Sequence, residues 1–173
     1  RTKILGQFLL ALLLIYVAVH VLGRGTELIV PLTGEKWDLG AWYYVIALVL
    51  VIGTTNAVNL TDGLDGLAAG CAFFVYLGYL MICLLAVNNP PVLNLNFMDL
   101  ALFSGALVGG CLAFLFFNRY PAKVFMGDTG SLALGGGIAA LAVLTKTELV
   151  LPVLGGIFVI ETISVILQVL SFR

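Results

Sequence analysis

Long apolar segments alternate along the chain with short polar ones. A hydrocarbon core about 30 Å thick requires roughly 20 apolar residues in a helix, and six segments approach that length. They predict membrane spans over residues 4–22, 41–57, 67–87, 98–117, 131–144 and 149–170. Asn88-Asn89-Pro90-Pro91 predicts a break between two of them, because proline cannot continue a helix. The expected fold is all-α, a polytopic membrane helical bundle that forms a single membrane domain over residues 1–173.

Residues 24–40 depart from the apolar pattern. β-branched residues lie on both sides of a Thr33-Gly34 turn, a pattern typical of a β-hairpin. We therefore expect a small exposed hairpin on the extracytoplasmic side of the membrane.

The composition supports a membrane protein and excludes some partners. Hydrophobic residues make up 62% of the chain, charged residues 10%, and the mean hydropathy is +1.16, whereas soluble domains are about a quarter charged. The net charge of −1 argues against binding of nucleic acid, which would require a basic face. Cys71, Cys83 and Cys111 lie inside apolar segments, so we expect them to pack as small apolar residues.

Two polar segments, residues 56–66 and residues 118–130, interrupt the spans. Six spans would place both at the same membrane face. That face would carry Arg1, Lys3, Arg119, Lys123 and Arg173, against Arg24, Lys36 and Lys146 on the other. Because cytoplasmic loops carry an excess of Lys and Arg, the modest bias predicts that both segments are cytoplasmic.

The first polar segment, N-A-V-N-L-T-D-G-L-D-G, contains two carboxylates and two asparagines. Asp62 and Asp65 are three residues apart, which would place them on one face if the next helix began nearby. Asp and Asn are also ordinary helix caps, and glycine is an ordinary loop residue. We favour a functional interpretation because carboxylates beside hydrocarbon are costly and are usually functional.

The second polar segment contains Asp128, between Gly127 and Gly130 at the predicted start of a helix. Free amides and the positive end of a helix dipole favour phosphate there. A carboxylate would repel phosphate unless a cation stood between them, and Mg²⁺ binds carboxylate and phosphate oxygens together. The alternative is that Asp128 only caps the helix.

Other polar and aromatic residues allow two interpretations each. Arg119 and Lys123 could orient the chain in the membrane or pair with phosphates. Tyr120 and Phe125 could be interfacial aromatics or stack on a nucleobase. Glu161, a lone acid within the last span, could meet Gln7 or Asn59, or could help to kink its helix.

Two motifs carry a resemblance to a known family. N-A-V-N-L-T-D-G-L-D-G-L-A (56–68) and V-F-M-G-D-T-G-S-L-A-L-G-G (124–136) resemble the polyprenyl-phosphate hexosamine-1-phosphate transferases. F-N-x-x-P-A (117–122) and E-T-I-S-V-I-L-Q-V-L-S-F (161–172) favour the phospho-N-acetylmuramoyl-pentapeptide-transferase branch. The resemblance covers essentially the whole chain.

The resemblance implies a multi-pass enzyme of the bacterial inner membrane. Its substrates would be UDP-MurNAc-pentapeptide and undecaprenyl phosphate, its products lipid I and UMP, and its cofactor Mg²⁺. A homodimer is compatible with such an enzyme. The implied catalytic residues are Asp128, which would also bind the metal, Asp62 and Asp65; the implied substrate-binding residues are Asn59, Gly63, Leu64, Asn118, Lys123 and Phe125.

Family members also carry an Asp-Asp pair and a His-rich cluster that this sequence does not contain. We therefore expect the sequence to be part of a longer protein and to show little turnover alone. The nearest alternative is the same chemistry with UDP-N-acetylglucosamine as donor. A transporter with a broken-helix site and a non-catalytic membrane scaffold are alternatives of other classes.

Overall fold

The structure, a computed structural model, describes residues 2–87 and 95–172 and is mostly helical. Its elements are α1 (Thr2–Tyr16), a π-helical turn (Val17–Val21), β1 (Glu27–Ile29), β2 (Lys36–Asp38), α2 (Trp42–Thr61), α3 (Leu67–Ala86), α4 (Phe97–Asn118), α5 (Gly127–Thr145), α6 (Leu151–Leu154) and α7 (Gly156–Ser171). The predicted break at residues 88–91 lies outside the described residues.

Five helical stretches of the described chain are long and apolar enough to cross a membrane. They are Lys3–Val21, Trp42–Thr61, Leu67–Ala86, Phe97–Asn118 and Gly127–Thr145. Large apolar side chains on their outer faces are exposed, with Leu10 at 68% and Leu102 at 65%. Such an extended apolar surface needs lipid or further protein to cover it.

The last apolar segment differs from the single span predicted over residues 149–170. The helix is interrupted at Gly155, where φ is −96° and ψ is 27°. Two adjacent glycines, Gly155 and Gly156, stabilise a helix poorly and are a common cause of breaks. The 16 residues of α7 span about 24 Å at 1.5 Å per residue, less than a typical hydrocarbon core.

The two polar segments are also more helical than predicted. α2 continues to Thr61, so Asn56 and Asn59 lie in its last turns rather than in a loop. α5 begins at Gly127, which places Asp128 in its first turn. Asp62 and Asp65 lie in the turn between α2 and α3, so the expected helical spacing of three does not apply to them.

α2 lies at the centre of the described bundle and packs against α1, α5 and α7, while α3 packs against α4. The contact between α2 and α5 is close at Gly135, where a Cβ atom would lie 2.7 Å from the Cα of Thr55. Tyr76 joins α3 to α5 by donating a hydrogen bond to the carbonyl of Leu134, at 2.7 Å. These contacts fix which helix ends meet.

The predicted hairpin is confirmed. β1 and β2 pair antiparallel, with Leu28 opposite Trp37, and Lys36 forms an ion pair with Glu27. Lys146, which follows α5, donates to the carbonyl of Gly25 at 2.8 Å. The hairpin therefore lies at the end of the bundle where α5 finishes, opposite the end where α5 begins with Asp128.

Candidate functional site

Asn59 is the centre of a hydrogen-bond network that joins the ends of three helices. Its Oδ1 accepts from Nζ of Lys3, in α1, at 2.8 Å. Its Nδ2 donates to Oδ1 of Asp128 at 2.9 Å and to Oγ of Ser131 at 2.8 Å, both in α5. Lys3 closes the network through an ion pair with Oδ2 of Asp128 at 3.1 Å.

A second pair of amides supports this network one turn deeper in the bundle. Nδ2 of Asn56 donates to Oε1 of Gln7 at 3.0 Å, and Nε2 of Gln7 donates back at 3.4 Å. Lys3 and Gln7 are four residues apart and Asn56 and Asn59 three, so each pair shares one helix face. The two faces hold α1 against α2 at the point where Asp128 arrives.

Asn118, the last residue of α4, connects the two polar segments to each other. Its Oδ1 accepts from the backbone N–H of Gly66 at 3.0 Å, and its Nδ2 donates to the carbonyl of Val124 at 2.8 Å. Asp65 adds a second link by accepting from the backbone N–H of Ala122 at 2.9 Å. Gly66 has φ of +76°, a conformation that glycine adopts without strain. The two segments therefore form one unit at one end of the bundle.

These links create a cleft of about 200 Å³ between the two segments. It is lined by Asn59, Asp62, Gly63, Leu64, Asp65, Asn118, Phe125, Met126, Gly127 and Asp128. Every predicted site residue except Lys123 is in this set. Phe125 is 74% exposed and Leu64 68% exposed, so both present apolar surface at the cleft.

Asp62 and Asp128 face the same cleft with like charges. The pKa of Asp62 is raised above its ordinary value, first by burial and then by the negative charge of Asp128. A backbone hydrogen bond from Gly127 acts in the opposite direction. A cation between the two carboxylates would relieve their repulsion.

The donor set at this cleft fits Mg²⁺ bound together with a substrate. No group of three or more His, Cys, Asp or Glu side chains that could hold a metal occurs in the part of the chain that the structure describes. Mg²⁺ commonly takes one or two carboxylates and completes its shell with phosphate oxygens and waters. Asp128 is suited to this because its side chain is 72% exposed, so its ion pair with Lys3 is screened by water and can open to admit a metal.

Some residues weighed in the sequence lie elsewhere. Lys123 is exposed and outside the cleft lining, and the guanidinium of Arg119 lies over the ring of Phe116. The partners suggested for Glu161 are engaged within the network around Asn59 and Asn56.

Sequence reasoning missed Lys3 and Ser131 as members of the site. Lys3 counted only as a charge that orients the chain, and Ser131 only as a hydroxyl at a helix start. The signal that could have identified Lys3 is its spacing of four from Gln7, because two polar residues on one face of an apolar span need polar partners in a neighbouring helix.

Comparison with known proteins supports the family suggested by the motifs. Residues 1–146 match the family model described as glycosyl transferase family 4. The phospho-N-acetylmuramoyl-pentapeptide-transferase of Heliobacterium modesticaldum is 56% identical over 171 residues, which are 99% of this chain and 50% of that protein. Proteins of the same description from Desulfitobacterium hafniense and Moorella thermoacetica are each 56% identical over 173 residues, which are 52% of each relative.

The chain spans about half the length of the curated relatives it matches. The family match itself covers most of the chain and includes both polar segments that form the cleft. The chain belongs to glycosyl transferase family 4.

Proposed function

We propose that the chain supplies the metal and nucleotide part of a phospho-N-acetylmuramoyl-pentapeptide transferase. The reaction would move phospho-MurNAc-pentapeptide from UDP to undecaprenyl phosphate, forming lipid I and releasing UMP. The observation that carries this proposal is the cleft in which Asp128 meets Asn59 and Lys3 at the end of an apolar bundle. The relatives that bear this description support the choice of substrates.

The side chains of the cleft divide into two chemical parts. Asp128 and Asp62 would hold Mg²⁺ at the diphosphate, and the ion would neutralise charge on the phosphate oxygens. Lys3 adds positive charge at the same place and suits a phosphate oxygen. Phe125 offers an exposed ring on which uracil would stack, beside Gly63 and Leu64.

Asn59 would act by orienting groups that contact the substrate. It bonds to both Lys3 and Asp128, so it can keep the carboxylate and the ammonium oriented when the ion pair between them opens. Phosphoryl transfer depends mainly on positioning and on electrostatic stabilisation. Both direct attack by the lipid phosphate and a two-step route remain compatible with this arrangement.

The membrane arrangement follows from the same cleft. The sugar nucleotide is water-soluble and the lipid phosphate lies at the membrane surface, so the cleft would face the cytoplasm at the inner membrane. The hairpin would then be extracytoplasmic. α6 and α7 together would provide a sixth crossing, because a single residue, Gly155, separates the two helical segments.

Replacement of Asp128 tests the metal assignment in the full-length protein. Asp128→Asn keeps the shape of the side chain but removes its charge, so it should abolish Mg²⁺-dependent UMP release and leave the melting temperature near that of the wild type. The matched control is Asp38→Asn on the hairpin, where the side chain of Asp38 accepts from Thr26 and from the backbone N–H of Gly40; its UMP release should be normal. Near-normal turnover by Asp128→Asn would contradict the assignment.

The choice of donor needs a separate assay. UDP-MurNAc-pentapeptide and UDP-N-acetylglucosamine are each offered with undecaprenyl phosphate, and we expect UMP only from the first. Turnover of UDP-N-acetylglucosamine alone would instead support an N-acetylglucosamine-1-phosphate transferase. Solute flux in liposomes without UMP formation would support a transporter, which the location of both segments at one end of the bundle disfavours.

A further inference from the structure

A second polar cluster, formed by Tyr43, Lys146 and Glu148, lies at the hairpin end of the bundle, and the charge of Arg24 interacts with Glu148. The hydroxyl of Tyr43 donates to Oε1 of Glu148 at 2.7 Å. Nζ of Lys146 lies 3.9 Å from the same oxygen and 3.9 Å from the centre of the Tyr43 ring. The four residues form none of the cleft and take no part in the transfer chemistry proposed above.

The cluster is buried, unlike most charged groups of the chain. Tyr43 is 0%, Glu148 3% and Lys146 4% exposed. Burial lowers the pKa of Lys146 to about 8 and raises that of Glu148. Oε2 of Glu148 and Nε of Arg24 are buried and have no hydrogen-bond partner among residues 2–87 and 95–172. Such a cluster is a poor source of stability, so another reason for its presence is needed.

The segments that meet at this cluster lie within, or follow, helices that also carry members of the network around Asn59. Arg24 follows α1, and its backbone N–H bonds to the carbonyl of Ala18 at the end of that helical segment; α1 begins with Lys3 as its second residue. Tyr43 lies in the first turn of α2, whose last turns carry Asn59. Lys146 and Glu148 follow α5, which begins with Asp128 as its second residue.

The contact between the two polar ends is apolar and made largely of small residues. Ala11 and Ala18 of α1, Val51 of α2, and Ala139 and Val143 of α5 form a buried cluster there. Small residues let helices approach closely, but such surfaces offer few contacts that would oppose a helix sliding along its neighbour. Buried polar groups can set the register of packed helices, as a single buried asparagine does in a coiled coil.

We propose that this cluster sets the axial register of α1, α2 and α5, so that Lys3, Asn59 and Asp128 meet at the far end. Tyr43, Lys146 and Glu148 are then positioning residues for the reaction, an inference that rests on the proposed function. The two contacts of Tyr43 join α2 to the end of α5, and the bond from Lys146 to Gly25 joins the end of α5 to the segment that follows α1. The ion pair between Lys146 and Glu148 holds together the short segment that makes these contacts.

Two neighbouring tyrosines provide a matched test in the full-length protein. Tyr43→Phe removes the hydroxyl that binds Glu148, and Tyr44→Phe removes one that bonds to His20, outside the cluster. We expect Tyr43→Phe to raise the Mg²⁺ concentration for half-maximal UMP release about tenfold, because a misplacement of about 1 Å costs up to about 10²-fold in rate. Tyr44→Phe should match the wild type. A purely structural role would lower the melting temperature of Tyr43→Phe without changing its Mg²⁺ dependence.

Glu148→Gln provides a second variant in case Tyr43→Phe does not fold. The amide oxygen can still accept from Tyr43, but the attraction to Lys146 and Arg24 is lost. We expect the Mg²⁺ requirement to rise less than in Tyr43→Phe. An unchanged requirement in a folded Glu148→Gln protein would contradict the proposal.

A distance measurement tests the register without relying on activity. Spin labels are placed on the exposed positions Leu5→Cys and Thr129→Cys of a full-length protein whose native cysteines are replaced by alanine, and the distance distribution is recorded with and without Tyr43→Phe. We expect a shifted or broader distribution with Tyr43→Phe and none with Tyr44→Phe. An unchanged distribution together with normal UMP release in Tyr43→Phe would overturn the inference and leave the proposed function intact. Absence of UMP release in the wild type would refute the function, while the distances would still decide the register.

Discussion

Replacing Asn118 by alanine should separate loss of the site from loss of the fold. Asn118 is 4% exposed, and its two polar atoms bond to the N–H of Gly66 and the carbonyl of Val124. Each hydrogen bond contributes about 1 kcal/mol net, and each partner left unsatisfied costs a further 1–3 kcal/mol when buried. Both partners are near the surface and can recover some bonding to water. We therefore expect Asn118→Ala to lower the free energy of unfolding by about 2–4 kcal/mol.

The loss should fall on the cleft because Asn118 is the link between its two walls. In the full-length protein, Asn118→Ala should reduce UMP release by about 10²-fold, a factor consistent with a misplacement of about 1 Å. Binding of UDP-MurNAc-pentapeptide, measured by calorimetry, should weaken as well, since Phe125 and Gly63 would no longer be held together.

Asn96→Ala is the matched control because Asn96 lies at the other end of the same helix. It is exposed, and its side chain caps α4 by accepting from the N–H of Met98 at 3.0 Å. Its removal should cost about 1 kcal/mol of stability and leave UMP release unchanged. Equal effects of the two substitutions on UMP release, or normal substrate binding by Asn118→Ala, would refute the assignment of Asn118 as the link.

Three further substitutions test other parts of the structure. Lys3→Met should lower UMP release by about 10²-fold, as loss of one electrostatic donor does elsewhere, with little change in melting temperature; a normal rate would remove Lys3 from the site. Gly135→Ala should destabilise the protein by about 1–3 kcal/mol, because its Cβ would lie 2.7 Å from the Cα of Thr55. Gly136→Ala is the control and should not destabilise, because a Cβ there meets open space. Equal melting temperatures of the two variants would contradict the close approach of α2 and α5. The pKa of Lys146 is about 8 in the folded protein in place of 10.5, so between these pH values the unfolded chain binds more protons and the free energy of unfolding rises with pH. Denaturation measured from pH 8 to 10.5 should show the wild type becoming more stable relative to Lys146→Met. Parallel plots of unfolding free energy against pH for the two proteins would contradict the shift.

The helical class of the fold was accessible from the sequence because a membrane span requires only length and apolar character. Five of the predicted spans correspond to helical stretches of sufficient length. The break at Gly155 was not predicted, because hydropathy measures the apolar character of residues 149–170 and not the backbone preference of two adjacent glycines. The hairpin was predicted because its turn and its β-branched residues are local signals.

The helix ends at the cleft were mispredicted because polar residues there have partners distant in sequence. Asn56 and Asn59 indicate a loop when only their neighbours are considered. In the structure they complete α2 because Gln7 and Asp128, 49 and 69 residues away, satisfy their amides. Asp128 was identified because a Gly-Asp turn at a helix start is a local pattern. Lys3 was not identified, because its side chain contacts residues of two other helices, and the sequence does not show which helices pack beside α1.

The two ends of the three-helix unit of α1, α2 and α5 differ in the cost of rearranging their ion pairs. The side chains of Lys3 and Asp128 are 40% and 72% exposed, so water screens their attraction and little is lost when they separate. The side chains of Lys146 and Glu148 are 3% and 2% exposed, and removing one partner of a buried pair costs about 3–5 kcal/mol. An ion pair that exchanges readily is what a site needs if Asp128 is to release Lys3 and bind a metal and a diphosphate. At the opposite end, the buried charges are tied to α2 by the hydrogen bond from Tyr43 to Glu148 and to the segment after α1 by the bond from Lys146 to Gly25, so these contacts can hold the same helices in place while that exchange occurs.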